Sequence, residues 1–150
     1  MIDLSQYFNQ VKIERRDDQD FIWCICRKKW LVLTPEEMVR QTVILHLVDI
    51  GYSLPHITAE KQIVYNQMRK RYDLAISDRQ GKIHMVVECK EPGTPLSDRA
   101  LRQISIYNLS LGGKYLWITN GPDHKVFHID HKLKTVIPLD KLPLVGKSLT

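Results

Sequence analysis

Two apolar runs, Leu74 to Ile76 and Ile83 to Val87, flank the turn residues Ser77 to Gly81 and predict a β-hairpin. Upstream, His56 to Tyr65 alternates, with Ile57, Ala59, Ile63 and Tyr65 against Thr58, Glu60 and Val64. It reads as the first core strand and leads into the polar stretch Asn66 to Arg71. Before it, Thr34-Pro35-Glu36-Glu37 predicts a helix start, with Thr34 as N-cap, Pro35 in the first turn and Glu37 three residues after the cap. That helix runs to about Ile50, and Gly51 is its stop. Glu37, Arg40, Gln41, Ile44 and Val48 lie on one stripe that grades from polar to apolar, so one end can line a site while the other enters the core.

After the hairpin, Glu91 to Pro95 cannot continue a strand and opens a second helix, Leu96 to Leu111. Its core face is Leu96, Ala100, Ile104, Tyr107 and Leu111, with Gln103 at the border, and Gly112-Gly113 ends it. Tyr115 to Thr119 is then a short buried strand, parallel to the second hairpin strand through this helical crossover. Asn120-Gly121-Pro122 turns into Val126 to Ile129, and Thr135 to Leu139 forms a last edge strand. At the other end, Met1 to Phe8 is a short helix or ordered tail. Val11 to Arg16 and Phe21 to Cys26 are strands about the turn Asp17 to Asp20, and the basic turn Arg27-Lys28-Lys29 leads into Trp30 to Leu33. That basic turn reads as a solvated tip.

The expected fold class is therefore α/β (α+β). An αβββαβ core with a central mixed sheet flanked by helices spans residues 34–120, after an N-terminal β appendage over 1–33 and before a β extension over 121–150. A chain of 150 residues suffices for one such domain. It contains no G-x-x-x-x-G-K-[ST] loop, which excludes an ATP-driven motor. Twenty-two basic and 17 acidic residues give a net charge of +5, a bias toward polyanionic partners. Three cysteines, no apolar signal stretch and no membrane-length apolar run point to a cytoplasmic protein without a disulfide framework. Cys24 and Cys26 lack the spacing and second pair of a zinc site. His124, His128 and His131 lie in the outer part of the chain and are read as surface or pairing residues.

Charge in the hairpin is the conspicuous chemistry. Asp73 begins the first strand, while Glu88 and Lys90 end the second within an otherwise apolar run. Strand alternation puts Glu88 and Lys90 on one face and Cys89 on the other, and antiparallel pairing brings Asp73 beside them. Desolvated charges are costly unless paired or bound to metal. The residues alone leave two readings open: an ion pair in which Lys90 satisfies both carboxylates, or a Mg²⁺ site with hard oxygen ligands from Asp73, Glu88 and the Cys89 carbonyl. The basic run Arg69-Lys70-Arg71 just before Asp73 is a candidate for neutralising a nucleic-acid backbone, or else a solvated turn.

Asp73, fourteen residues, then Glu88-Cys89-Lys90 resembles the PD-(D/E)xK nuclease superfamily. Thr34 to Gln41 on the preceding helix, the Gln103-x-x-x-Tyr107 pair and Thr119-Asn120-Gly121 narrow the likeness. Together they resemble the N-terminal nuclease domain of type I restriction enzyme R subunits, in a small stand-alone form, over roughly Leu31 to Leu139. The resemblance implies a Mg²⁺-dependent endodeoxyribonuclease, with Mn²⁺ able to substitute. Asp73 and Glu88 would hold the metal, Lys90 would act at the attacking water, Glu37 rather than Glu36 would reach the site from the helix to hold a second metal or a metal-bound water, and Gln103 would pack beside the catalytic strands. It implies DNA as partner, with RNA as the alternative; the lack of a membrane-length run points to no membrane, and one active site per chain calls for a homodimer when both strands of a duplex are cut. The rival reading is a silent nucleic-acid-binding or assembly module of the same fold.

Overall fold

A computed structural model describes residues 1–65, 67–99, 101 and 113–146. Helix α1 (Pro35–Asp49) begins where the cap chemistry demands: Thr34 is extended and its Oγ1 accepts the Glu37 N–H at 3.1 Å. Pro35 loses no hydrogen bond in the first turn, and Glu36 and Glu37 complement the helix dipole. The helix stops where Gly51 adopts φ +113°, a conformation open to glycine. One apolar face of α1, with Val39, Val43, Ile44 and Leu47, is buried against the central sheet. A short 3-10 segment, Leu4–Gln10, clamps the same helix from outside: the Tyr7 hydroxyl lies 3.0 Å from His46 Nδ1 and donates to Asp49 at 2.8 Å.

The N-terminal appendage is a three-stranded antiparallel sheet of β1 (Ile13–Arg16), β2 (Gln19–Cys24) and β3 (Lys29–Val32). Asp17 and Asp18 both have positive φ (50° and 66°), the requirement of a two-residue hairpin turn between the paired Arg16 and Gln19. Strand β2 has the length of the apolar run but lies two residues earlier. It ends at Cys24, where the chain turns and the Ile25 N–H donates to Gln41 Oε1 on α1 at 3.1 Å.

The central sheet has the order β4-β5-β6-β7-β8-β9, with β4 (Ile57–Tyr65), β5 (Met68–Ser77), β6 (Ile83–Cys89), β7 (Tyr115–Thr119), β8 (His124–Asp130) and β9 (Thr135–Leu139). Only the β6–β7 pair is parallel, so the sheet is mixed as expected. Leu74, Ile76, Met85, Val87, Cys89 and Trp117 face α1. Tyr72, Ala75, Val86, Leu116, Ile118 and Ile129 form a second buried cluster together with Leu101. Each such aliphatic side chain contributes roughly 1.5–3 kcal/mol on burial. The expected second helix falls mostly on residues 100 and 102–112. Gln103, Tyr107, Ala100, Ile104 and Leu111 therefore lie outside the described residues. Among the described residues no helix is long and apolar enough to cross a membrane.

One difference from the sequence reading matters for the site. The first hairpin strand does not start at Asp73; β5 extends back to Met68, so Arg69, Lys70 and Arg71 are strand residues paired with β4 rather than a turn. The polar pattern there hid a strand whose two faces have different surroundings.

Candidate active site

The β5–β6 ladder begins at Leu74↔Val87 and runs toward the hairpin turn, while β5 continues the other way paired only with β4. The strands therefore part at Asp73 and Glu88, forming a fork. A fork leaves strand amides without ladder partners, and buried amides must be satisfied elsewhere. Asp73 does this: its Oδ2 accepts the Cys89 N–H at 2.6 Å, a side chain standing in for the missing strand.

The other Asp73 oxygen, Oδ1, lies 3.2 Å from Arg40 Nη2. Arg40 is the hub of the α1 side of the fork. Only 5% exposed, it also meets Glu37 Oε1 at 3.0 Å, Glu60 Oε1 at 3.3 Å and Glu36 Oε1 at 3.8 Å. Glu37 accepts from Gln41 Nε2 at 3.2 Å and lies 3.5 Å from Arg27 Nη2. Glu60 is met by Arg27 at 3.1 Å and by Arg71. Burial pushes the Glu60 carboxyl up, yet Arg27, Arg71 and Arg40 outweigh it and hold the group below its ordinary range. Glu60 has φ +53° inside β4, directly at the fork, a left-handed conformation rare for a non-glycine residue. Arg27 also corrects the reading of its turn as a solvated tip, since this member of the run is turned inward onto two carboxylates.

On the opposite side, Glu88 is 5% exposed and its Oε1 lies 3.2 Å from Lys70 Nζ. The Lys70 ammonium also stands 5.6 Å from the centre of the Tyr72 ring. Burial raises the Glu88 carboxyl above its ordinary value, and the charge of Asp73 adds to the rise against the opposing pull of Lys70 and Lys90. Lys90 is half-buried, and among the described residues it makes no ion pair within 4 Å. The ion-pair reading thus finds other cations: Arg40 and Lys70 hold the two carboxylates, not Lys90.

Lys90 is fixed through its backbone, its N–H donating to the Thr119 carbonyl at 2.8 Å. The Thr119-Asn120-Gly121 turn braces the loop after it. Asn120, 2% exposed, donates from Nδ2 to the Thr94 carbonyl at 2.9 Å, and Gly121 at φ +104° donates to Thr119 Oγ1 at 3.0 Å. A side chain at Gly121 would press on Val39 of α1 at 3.4 Å. The Cys89 thiol lies in the core, where burial pushes it well above its ordinary value, so this residue offers the fork its backbone alone.

Of the expected site residues, Asp73, Glu88 and Lys90 lie where the β5–β6 ladder parts, close enough that Asp73 and Lys90 act on the Glu88 carboxyl, but Asp73 turns to Arg40 and Glu88 to Lys70. Glu37 sits one step behind, reaching Asp73 through Arg40. Arg69 and Arg71 lie on the exposed side of β5, and Gln103 is outside the described residues. The sequence gives no site role to Glu60 or Arg27, places Arg40 only on the stripe that can line a site, and favours Glu37 over Glu36. The carboxyl of Glu36 is raised by partial burial and then by Asp73, while Arg40 and Lys90 pull it down, which places Glu36 in the field of the fork. Its i,i+4 spacing to Arg40 was the available signal.

The donor chemistry suits a hard divalent cation. Asp73 and Glu88 offer carboxylate oxygens, and the Glu88 carboxyl is raised first by burial and then by Asp73, a cost to its charged form that a cation would relieve. Among the described residues no three His, Cys, Asp or Glu side chains are gathered as a metal cage; the carboxylates turn to Arg40 and Lys70.

Solved structures of restriction-enzyme proteins share this fold. A fragment assigned as the HsdR subunit of a type I restriction enzyme from Vibrio vulnificus YJ016 matches at TM-score 0.53 and 22% identity over 75% of this chain. The type IIG restriction endonuclease BpuSI matches at 0.50 and 21% over 73%. A protein of Anabaena variabilis ATCC 29413 assigned as a nuclease of family DUF820 matches at 0.50 and 10% over 99%. This chain spans 24% of the Vibrio chain, 13% of BpuSI and 92% of the Anabaena protein. No curated protein matches the chain. The family model for the type I restriction enzyme R protein N terminus matches residues 35–143, and the chain belongs to that family.

Proposed function

We propose that this domain is a metal-dependent nuclease that hydrolyses phosphodiester bonds in DNA at the fork. The observation that carries the reading is the Asp73–Glu88 fork with Lys90 fixed beside it. Buried, mutually repelling carboxylates destabilise a fold, and a site for Mg²⁺ or Mn²⁺ accounts for their retention. Asp73 and Glu88 would hold the cation, with the Cys89 carbonyl adjacent; when bound it supplies charge neutralisation at the phosphate and acidifies water. Lys90 supplies an ammonium to orient that water. Arg40, pinned by Glu37 and Glu60, sets the Asp73 carboxylate. Glu36 at the mouth is placed to accept a proton or a water-mediated contact. Restriction enzymes among the structural neighbours favour DNA over RNA as the substrate. With one fork per chain, cutting both strands of a duplex calls for a homodimer on the DNA.

The test is cleavage of plasmid and linear duplex DNA, and of RNA, with Mg²⁺, with Mn²⁺ and with chelator. Metal-dependent cleavage of DNA is expected. Lys90→Ala should lower it by roughly 10²-fold, the scale of a positioned acid–base group, with little change in melting temperature because Lys90 holds no ion pair among the described residues. A wild-type chain inert toward both nucleic acids with every divalent metal would leave the binding-module reading in its place.

A further inference from the structure

Beyond the fork, β4 and β5 form a two-stranded ribbon of five register pairs, from Lys61↔Tyr72 to Tyr65↔Met68, unpaired to β6. At about 3.4 Å per residue it is ~14 Å long. Alternation gives it two unlike faces. Ile63, Lys70 and Tyr72 turn to the second core cluster and to Glu88. The pairs Gln62↔Arg71 and Val64↔Arg69 occupy the other face, and all four residues are exposed, Val64 at 60%. Arg71 is 66% exposed in its side chain while one guanidinium nitrogen rests on Glu60, which orients it and leaves other donors free. Glu60 also meets Arg27, and the exposed Lys28 and Lys29 directly follow that arginine in the chain.

We propose that this outer face enters the major groove of duplex DNA and reads base edges, so that the domain selects sequence with the ribbon next to the fork. The inference rests on the nucleic-acid reading of the fork, and adds direct readout to it. The major groove admits a two-stranded ribbon, and its code is met by the side chains present: arginine pairs bidentately with guanine, glutamine with adenine, and an apolar side chain with the thymine methyl. The basic run is thereby divided. Arg69 and Arg71 read, Lys70 stays with Glu88, and Lys28 and Lys29 take phosphates, which position without specifying. An arginine cannot be exchanged for lysine in this work, because lysine offers a point charge without the planar fork of donors.

The experiment uses the full chain with Ca²⁺ in place of Mg²⁺ and a random-sequence duplex pool of about two helical turns (~20 base pairs). Bound molecules are sequenced, and the salt dependence of binding is measured. Enrichment of a short motif containing guanine is expected from the wild type. The Arg69→Lys, Arg71→Lys double variant should lose roughly tenfold or more of that preference while keeping its salt slope. The alanine pair should lose both preference and overall affinity. Guanine N7 methylation of the pool should block binding, and a minor-groove ligand such as netropsin should not compete. No enrichment, enrichment undiminished in the lysine pair, or competition by netropsin without interference by N7 methylation would each overturn the proposal. Cleavage with Mg²⁺ is scored separately. A wild type that cleaves without selecting sequence overturns this inference and leaves the nuclease reading, while selective binding without cleavage by any divalent metal does the reverse.

Discussion

On the α1 side of the fork, Asp73, Glu37 and Glu60 share the buried guanidinium of Arg40, with Arg27 and Arg71 in support. On the ribbon side, Glu88 is more deeply buried than Asp73, at 7% against 18% side-chain exposure, and is met by the ammonium of Lys70. The consequence is opposite charge behaviour in neighbouring carboxylates. Arginines hold Glu60 below its ordinary range, whereas burial and Asp73 hold Glu88 above it. The planar guanidinium of Arg40, with its donors in a fixed fork, meets Asp73, Glu37 and Glu60 at once, whereas the ammonium of Lys70 meets Glu88 alone among the described residues. One side is held by several guanidinium contacts, with Arg40 Nε left without a partner among the described residues; the other rests on a single ammonium.

The sharpest way to break the contrast is to remove the hub. Arg40→Ala strips a buried cation from Asp73, Glu37 and Glu60 together. Removing one partner of a buried ion network costs about 3–5 kcal/mol, and an equilibrium denaturation curve should show a loss of that order. A loss under about 1 kcal/mol would mean that water replaces the guanidinium readily, so that the two sides do not differ as described. The next effect is smaller. Asp73→Asn keeps an oxygen for the Cys89 N–H but deprives Arg40 of one charge, and relieves Glu88 in return. A charged hydrogen bond outweighs that relief, so a net loss of about 1–2 kcal/mol is expected. A gain in stability would show that repulsion across the fork exceeds the Arg40 pairing.

How much of this was legible in the sequence follows from the range of each interaction. Thr34, Pro35 and Glu37 act within one helical turn, and the pairing that sets the Asp73 end of β5 beside the Glu88 end of β6 comes from a hairpin whose turn is local. Those features were readable from spacing alone. Glu60 was not, because its partners Arg27, Arg40 and Arg71 come from the appendage, α1 and β5, and its left-handed backbone falls on a residue that gives no sign of it. Arg69-Lys70-Arg71 reads as one basic block until β5 is extended past Asp73. Alternation then separates Lys70, turned inward to Glu88, from two arginines facing out. Pairing the run against Gln62, Ile63 and Val64 was the signal that would have divided it.

The finest test of the comparison is the pH dependence of Glu88. Its carboxyl is raised in the folded chain above the ordinary 4.5, first by burial and then by Asp73, so the folded state holds this proton more tightly than the unfolded one. Stability from that group is fully present below its ordinary value and is lost as pH rises through the raised one. Glu60, held low, acts in the reverse sense: its contribution stands at neutral pH and is lost on acidification. Glu88→Gln keeps the shape and an oxygen toward Lys70 while removing the titration. The variant should be more stable than wild type at neutral pH by about 1 kcal/mol, the low end of what neutralising a poorly compensated buried charge yields. The advantage should shrink as pH falls through the raised value toward the ordinary 4.5, since wild-type Glu88 takes up its proton on the way. Thermal melts of both chains between acid and neutral pH give the difference curve directly, since Glu60 and the Arg40 network are common to both. A variant less stable than wild type at neutral pH, or a difference that grows on acidification, would mean that Lys70 fully compensates Glu88, and the ribbon side of the fork would then be as complete as the α1 side.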